Sequence, residues 1–248
     1  MRLLATPALA AAITVAPAAA RTPIGQPVPD FEIEHWIQVQ DISRRGDFDP
    51  LTTPLEGRIY VIDFWATWCA PCIESFDKVS ELQQKHADNG VEIIAVTEES
   101  LPHVIRFLRR EHRDTGATQF ERARFTIASD PDGSTMKALL PEGLRNIRPA
   151  AAIIDREGRL VWVGAGADEL ASVLEAVIED RWSPDEAAPS IQRASLIEKE
   201  KERIIEQEDW PAARRGFWDD APFLTRIAFA IAFNYGNQIE DADPEVAR

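Results

Sequence analysis

Two cysteines are all that this 248-residue chain contains, and their scarcity limits its chemistry. They are Cys69 and Cys72, a single C-x-x-C pair. A structural zinc site needs four ligands, and the four histidines supply no second ligand pair, so we expect no metal site. Haem attachment needs a histidine directly after the second cysteine, and Ile73 stands there instead.

Basic residues are also few. Lys and Arg total 27 against 42 Asp and Glu, which leaves a formal charge of -15. Nucleic acids and anionic lipid surfaces are bound through clustered Lys and Arg, so we expect neither as a partner. Apolar residues at 45% and charged residues at 28% are typical of a globular protein. The length allows one full domain plus a substantial addition, or two small domains.

Long apolar runs are scarce, and the first lies at the N-terminus. Residues 1–20 combine a basic start at Arg2, an alanine-rich run and a final Ala18-Ala19-Ala20. This pattern predicts a secretory signal peptide cleaved after Ala20, and hence a periplasmic or otherwise extracytoplasmic location. The alternative is an uncleaved anchor, although prolines interrupt the run and make it barely long enough to span a bilayer. Membrane contact is expected only in that case.

Buried strands alternate with amphipathic helices from residue 58 onward. Residues 58–65 and 91–97 are apolar on both faces, as in strands covered on both sides of a sheet. Periodicity predicts helices over about 71–86, 101–112, 134–140 and 168–181. Further strands are predicted over 31–39, 125–128, 150–155 and 159–163, the last two joined by a hairpin with Gly158 at a position of positive φ. This order predicts an α/β fold with a central mixed sheet flanked by helices.

The composition changes after Trp182. A Pro- and Ala-containing linker, a charged helical segment and an apolar segment predict a helical C-terminal extension over 183–248. The apolar segment, 223–233, has about 11 residues, which is too few to span a bilayer. It packs either on the preceding domain or on a partner, and the sequence leaves both readings open.

The junction between the strand at 58–65 and the helix at 71–86 holds the cysteine pair. Free N–H groups at a helix N-terminus stabilise an anion, so we expect a lowered pKa for the Cys69 thiol. Its thiolate can attack a substrate disulfide, and Cys72, one turn along, can resolve the mixed disulfide. Pro71 fits the first helical turn, where no N–H is needed. A purely structural disulfide is the alternative.

The octapeptide WATWCAPC resembles the active site of the thioredoxin superfamily, and specifically that of TlpA-like extracytoplasmic thiol-disulfide oxidoreductases. The likeness runs from the segment IGQPVPDF at 24–31 to about Trp182. It implies a thioredoxin-like domain over 21–182, redox activity of the pair without a further cofactor, protein thiol or disulfide clients, and an upstream thiol electron donor. We expect four residues to contact the client: Trp68, Pro71, Arg148 and Pro149.

The resemblance implies roles for two more residues. Pro149 aligns with the family's cis-proline, which lies against the cysteine pair and orients the substrate backbone; an ordinary trans proline is the alternative. Asp63 matches the buried acid behind the cysteines. Burial raises the pKa of such a carboxyl, which could then take the proton from Cys72 during resolution. A hydrogen-bonded structural aspartate is the alternative.

Three positions depart from the family pattern. Ser75 stands where TlpA-like helices often carry Glu, and Asp77 replaces the helix-kinking proline of thioredoxin, which predicts a straighter helix. Arg148 replaces a small or β-branched residue before the cis-proline. Its guanidinium either lies near Cys69, lowering the pKa of that thiol and favouring acidic clients, or points to solvent.

The dipeptide between the cysteines, Ala70-Pro71, lacks the histidine of C-P-H-C and C-G-H-C sites. Thiolate stabilisation makes a strong oxidant, so the absence of histidine favours a reductant. Peroxidase chemistry is disfavoured because no P-x-x-x-T-x-x-C pattern precedes Cys69. The alternative from a different class is a binding or assembly module whose C-terminal tail captures a partner.

Overall fold

A computed structural model describes residues 21–30, 33–38, 57–165 and 167–187. These residues form a mixed α/β domain. Its strands are β1 (His35–Gln38), β2 (Ile59–Phe64), β3 (Val91–Thr97), β4 (Thr126–Ser129), β5 (Ala150–Ile154) and β6 (Leu160–Ala165). Its helices are α1 (Ala70–Glu74), α2 (Phe76–His86), α3 (Leu101–Leu108), α4 (Gln119–Arg122), α5 (Ser134–Leu139), α6 (Glu142–Arg145) and α7 (Ala167–Ile178).

The strands form one sheet in the order β1-β4-β3-β2-β5-β6. Strand β3 is parallel to its neighbours β2 and β4, whereas β5 is antiparallel to both β2 and β6, and β1 is antiparallel to β4. The predicted fold class, a central mixed sheet flanked by helices, is confirmed. Gly158 has φ +72° in the turn between β5 and β6, as the hairpin prediction requires.

Alternation along the strands divides the core between the two faces of the sheet. In β2, Val61 faces the cluster that includes Phe76 of α2, Val104 of α3 and Leu174 of α7. Ile62 faces the opposite cluster, to which α5 and α6 contribute. Both central strands are therefore covered on both sides, which explains their continuous apolar sequence.

The predicted helix over 71–86 is divided at Ser75, so the expectation of a straighter helix is wrong. The Ser75 N–H donates to the carbonyls of both Pro71 (3.1 Å) and Cys72 (3.2 Å), and its hydroxyl donates to the Cys72 carbonyl at 2.7 Å. The bond to Pro71 is the ordinary α-helical bond, four residues back, whereas the two contacts with the Cys72 carbonyl span three residues, tighten the turn and interrupt the helical ladder. A serine thus separates α1 from α2 without a proline.

Other element boundaries differ modestly from the predictions. Helix α3 ends at Leu108 rather than at residue 112, and α7 ends at Ile178 rather than at residue 181. The four-residue helix α6 was not predicted. The predicted signal peptide at 1–20 lies outside the described residues, as does the predicted extension from residue 188 onward. None of the helices in the described ranges is long and apolar enough to cross a membrane.

Candidate active site

Three chain segments meet at one edge of the sheet. Phe64, the last residue of β2, pairs with Val96 near the end of β3 and with Ala150 at the start of β5. The loop carrying the cysteines, the segment after β3 and the segment before β5 therefore leave the sheet at the same edge. Carboxyl ends of parallel strands are the usual position of α/β binding sites.

The cysteine pair lies at the start of α1 and is joined by a disulfide. Cys69 is the N-cap residue, and its Sγ accepts a hydrogen bond from the Cys72 N–H at 3.2 Å. A donor at this position can stabilise negative charge on the Cys69 sulfur once the disulfide is reduced; the lowered pKa of the Cys69 thiol stays a prediction. Both cysteines are buried, and Pro71 lies in the first turn of α1, as predicted.

The loop between β2 and α1 presents one large side chain to solvent. Trp68, directly before Cys69, is 57% exposed, whereas Trp65 is fully buried. Trp65 packs edge-on against Phe76, with ring centroids 5.3 Å apart. An exposed indole directly before Cys69 places an apolar surface next to the buried disulfide.

Asp63 is a buried carboxyl on the cysteine side of the sheet. It is 7% exposed, and the alternation of β2 places it on the same face as Val61, whose cluster includes Cys72. Loss of hydration raises the pKa of Asp63 from 3.8 to about 7, although the nearby positive charge of Arg148 lowers it in part. The predicted burial and pKa direction are confirmed, and the proton-accepting role stays a prediction.

Arg148 precedes Pro149, and the peptide bond between them is cis, as predicted. The Arg148 side chain is only 6% exposed, so the alternative that it points to solvent is wrong. Its guanidinium donates to the carbonyls of Arg145 (2.7 Å) and Ile147 (2.8 Å) and to Glu98 at 3.0 Å. Its effects on the pKa of Cys69 and on client charge stay predictions.

A second buried cation supports the helix that follows the cysteines. Arg122 of α4 is 4% exposed at its side chain. It donates to the Ile73 carbonyl (3.2 Å), to Asp77 (2.9 Å) and to Gln119 (2.7 Å). Arg122 therefore connects α1 to α2 across the interruption at Ser75, and its partner Asp77 stands at the position that the sequence comparison matched to the helix-kinking proline of thioredoxin.

Removal of this cation is expected to destabilise the domain. The variant Arg122→Met keeps the apolar stem but removes the donors to Ile73, Asp77 and Gln119. We expect a loss of about 2 kcal/mol in the free energy of unfolding, since hydrogen bonds involving a charged group contribute about 1.5 to 3 kcal/mol. Urea unfolding measures the loss. Arg124→Met is the matched control, because Arg124 is exposed; an equal effect of both variants would contradict the assignment.

Sequence reasoning missed Arg122, Glu98 and Glu99. The two glutamates had a detectable signal, because they directly follow a buried parallel strand at its carboxyl end. Arg122 had none, since it falls in a polar stretch and its partners come from distant elements. Within the described ranges, no group of three or more His, Cys, Asp or Glu is arranged to hold a metal ion.

The chain matches one family model and is similar to several known proteins. The model of the Redoxin family matches residues 23–178. Protein FixW of Rhizobium leguminosarum is 23% identical over 174 residues, which cover 70% of this chain and 74% of FixW. Thiol-disulfide oxidoreductase ResA of Bacillus thuringiensis is 24% identical over 144 residues, covering 56% of this chain and 67% of ResA.

Similarity to solved structures is weaker. The 2-Cys peroxiredoxin of Plasmodium vivax aligns with 64% of this chain and 98% of its own at 14% identity, with a TM-score of 0.48. The MTB protein dsbF aligns with 51% of this chain and 86% of its own at 22% identity, with a TM-score of 0.37. The description of the fold therefore rests on the observed strand order, β1-β4-β3-β2-β5-β6, and not on these alignments.

Proposed function

Because this chain belongs to the Redoxin family, we propose that it is an extracytoplasmic thiol-disulfide oxidoreductase that reduces disulfides of protein clients through Cys69 and Cys72. It is an oxidoreductase and a TlpA-like member of the thioredoxin superfamily. The observation that carries the proposal is the C-x-x-C disulfide at the strand-to-helix junction, where the Cys69 sulfur accepts the Cys72 N–H.

The reduced pair acts in two exchange steps. The Cys69 thiolate attacks one sulfur of the client disulfide, which forms a mixed disulfide and releases the first client thiolate. The Cys72 thiolate then attacks Cys69 Sγ, which forms the Cys69–Cys72 disulfide and releases the second client thiolate. Two electrons pass from the pair to the client, and the released thiolates take up protons. An upstream dithiol returns the pair to its reduced state, and no further cofactor takes part.

Asp63 supplies a proton acceptor for the second step. A general base is most effective when its pKa lies near the working pH, and burial raises the pKa of Asp63 to about 7. The carboxyl lies on the sheet face that carries Cys72. Its carboxylate form takes the Cys72 proton directly or through one water, which generates the resolving thiolate.

Client contact falls on the two loops that flank the disulfide. Trp68 offers an exposed apolar surface on one side. Pro149, preceded by Arg148, lies directly before β5, which pairs with the end of β2 at the same edge of the sheet. A client segment lying between these loops brings its disulfide to Cys69, while Pro71 shapes the turn between the two sulfurs.

Two features of the sequence support the proposed location and the proposed direction of exchange. Residues 1–20 have the pattern of a secretory signal, which favours an extracytoplasmic location. The dipeptide Ala70-Pro71 adds no histidine to stabilise the Cys69 thiolate, which favours a reductant over a strong oxidant. The competing proposal, a module that captures a partner through its tail, depends on residues outside the described ranges.

The equilibrium reduction potential of the cysteine pair tests this function. We expect a value below about -220 mV, nearer to the thioredoxin value of about -270 mV than to the strong-oxidant value of about -120 mV. Alkylation and mass measurement after equilibration in dithiol or glutathione buffers give the oxidised fraction, with Cys69→Ser as the control. A value near -120 mV would contradict the reductant direction, and a pair that never cycles would remove the redox function.

A further inference from the structure

Two adjacent glutamates directly after β3 contact both loops that flank the cysteines. We propose that Glu98 and Glu99 are positioning residues that fix the cleft between the Trp68–Cys69 loop and the Arg148–Pro149 loop, in which a client disulfide must lie. This inference rests on the function proposed above and assigns to each glutamate one wall of that cleft.

Glu99 holds the wall formed by the loop before Cys69. One carboxylate oxygen accepts the Thr67 N–H at 2.6 Å, and the other accepts the Thr67 hydroxyl at 2.7 Å. The same hydroxyl lies 3.0 Å from Nε2 of His103. Thr67 is two residues before Cys69, so a double contact at Thr67 restricts the backbone that leads into both Trp68 and the nucleophilic sulfur.

Glu99 is itself fixed in place. Its backbone N–H donates to the Thr97 hydroxyl at 3.3 Å, and its carbonyl accepts the Ser129 hydroxyl at 2.8 Å. These contacts come from the ends of β3 and β4, which belong to the rigid sheet. Glu99 therefore holds the Thr67 loop in a fixed position relative to the sheet, and not relative to the short helix α1.

Glu98 holds the opposite wall through Arg148. Its carboxylate accepts from the Arg148 guanidinium at 3.0 Å, and this guanidinium also bonds to the carbonyls of Arg145 and Ile147. On its other side Glu98 packs against Gly133, where a Cβ would collide with the carboxylate. The ion pair thus fixes the residue directly before Pro149.

Consecutive residues of one chain segment therefore hold both walls of the cleft. A misplacement of about 1 Å in a reacting group can lower a rate by about 100-fold. A polypeptide disulfide must fit between the walls, whereas a small aromatic disulfide reaches the sulfur without them. Loss of a positioning glutamate should thus slow reduction of a protein disulfide selectively.

Rates with two disulfide substrates test the proposal. For the reduced variants Glu98→Ala and Glu99→Ala, we expect the second-order rate constant with insulin to fall by about 10-fold or more. With 5,5′-dithiobis(2-nitrobenzoic acid), we expect a change of less than about 2-fold. Glu99→Gln keeps one acceptor oxygen and should recover most of the insulin rate. Glu81→Gln, which removes an exposed charge on α2, should match the wild type with both substrates.

Amide hydrogen exchange at Thr67 provides a readout that does not depend on activity. We expect exchange at this N–H to be about 10-fold faster in Glu99→Ala, and Thr67→Val gives a second variant that removes only the hydroxyl contact. Parallel loss of both rates, or no loss of either, would overturn the proposal. If the wild type itself fails to reduce insulin, the proposed function fails, and unchanged Thr67 exchange in Glu99→Ala would then overturn the positioning role separately.

Discussion

The variant Cys72→Ser is expected to stop turnover and to accumulate a covalent adduct between Cys69 and its client. Attack by the Cys69 thiolate needs no second cysteine, but release of the bound client does. Intramolecular attack by a correctly placed group has a very high effective concentration, so we expect its loss to lower turnover by at least about 100-fold. Incubation of the reduced variant with insulin, followed by non-reducing electrophoresis and mass measurement, detects the adduct.

The reciprocal variant Cys69→Ser is the control for this assignment. It should form no adduct and show no turnover, because Cys72 lies one turn into the helix and lacks the N-cap position at which the Cys69 sulfur accepts a backbone N–H. Adducts that form through Cys72 in this variant would reverse the roles of the two cysteines. Wild-type turnover in Cys72→Ser would show that an external thiol performs the resolving step.

Replacement of Asp63 by asparagine is expected to stabilise the oxidised protein increasingly as the pH rises. The carboxyl has a pKa of about 7 in the folded protein and about 3.8 as the ordinary value. Between pH 3.8 and about pH 7 the folded protein keeps a proton on Asp63 that the unfolded chain has lost. The free energy of unfolding of the wild type therefore falls as the pH rises through this window. At about 1.36 kcal/mol per pH unit, the full cost above pH 7 is about 4 kcal/mol.

The uncharged amide does not carry this cost. The difference in free energy of unfolding between Asp63→Asn and the wild type should therefore be small near pH 4 and should rise to about 4 kcal/mol at pH 8. Urea unfolding of both proteins in the disulfide form measures the difference at each pH. Asp114→Asn is the control, because Asp114 is exposed and should show no such rise. A pH-independent difference for Asp63→Asn would contradict the raised pKa.

Much of the fold could be predicted from the sequence because the central elements have strong local patterns. The run at 91–97 is apolar at nearly every position, and the structure has a strand with those bounds. The hairpin at Gly158 was predicted for the same reason, since a positive φ there favours glycine. Helix α6 and the division at Ser75 were missed, because both depend on short-range bonds that leave little periodic signal.

The candidate site was predictable only in part. Cys69 and Cys72 were predicted from their spacing and their strand-to-helix context, and Pro149 from its match to the family. The sequence identified Arg148 as unusual but did not predict where its side chain points, because its acceptor Glu98 lies 50 residues away in the sequence. A long flexible side chain has many accessible positions, and only the packed neighbours select one of them.

The sequence by itself determined the fold class, the redox pair and the buried position of Asp63, because these depend on local periodicity and on residues close together in the chain. Only the tertiary structure decided the strand order, the pairing of Arg122 with Asp77 and the two contacts made by Glu98 and Glu99. Each of these joins segments about 30 to 50 residues apart. The glutamate contacts form only when chain crossovers bring the ends of β2, β3 and β5 to one edge of the sheet, and the Arg122–Asp77 pair forms only when α2 and α4 pack together.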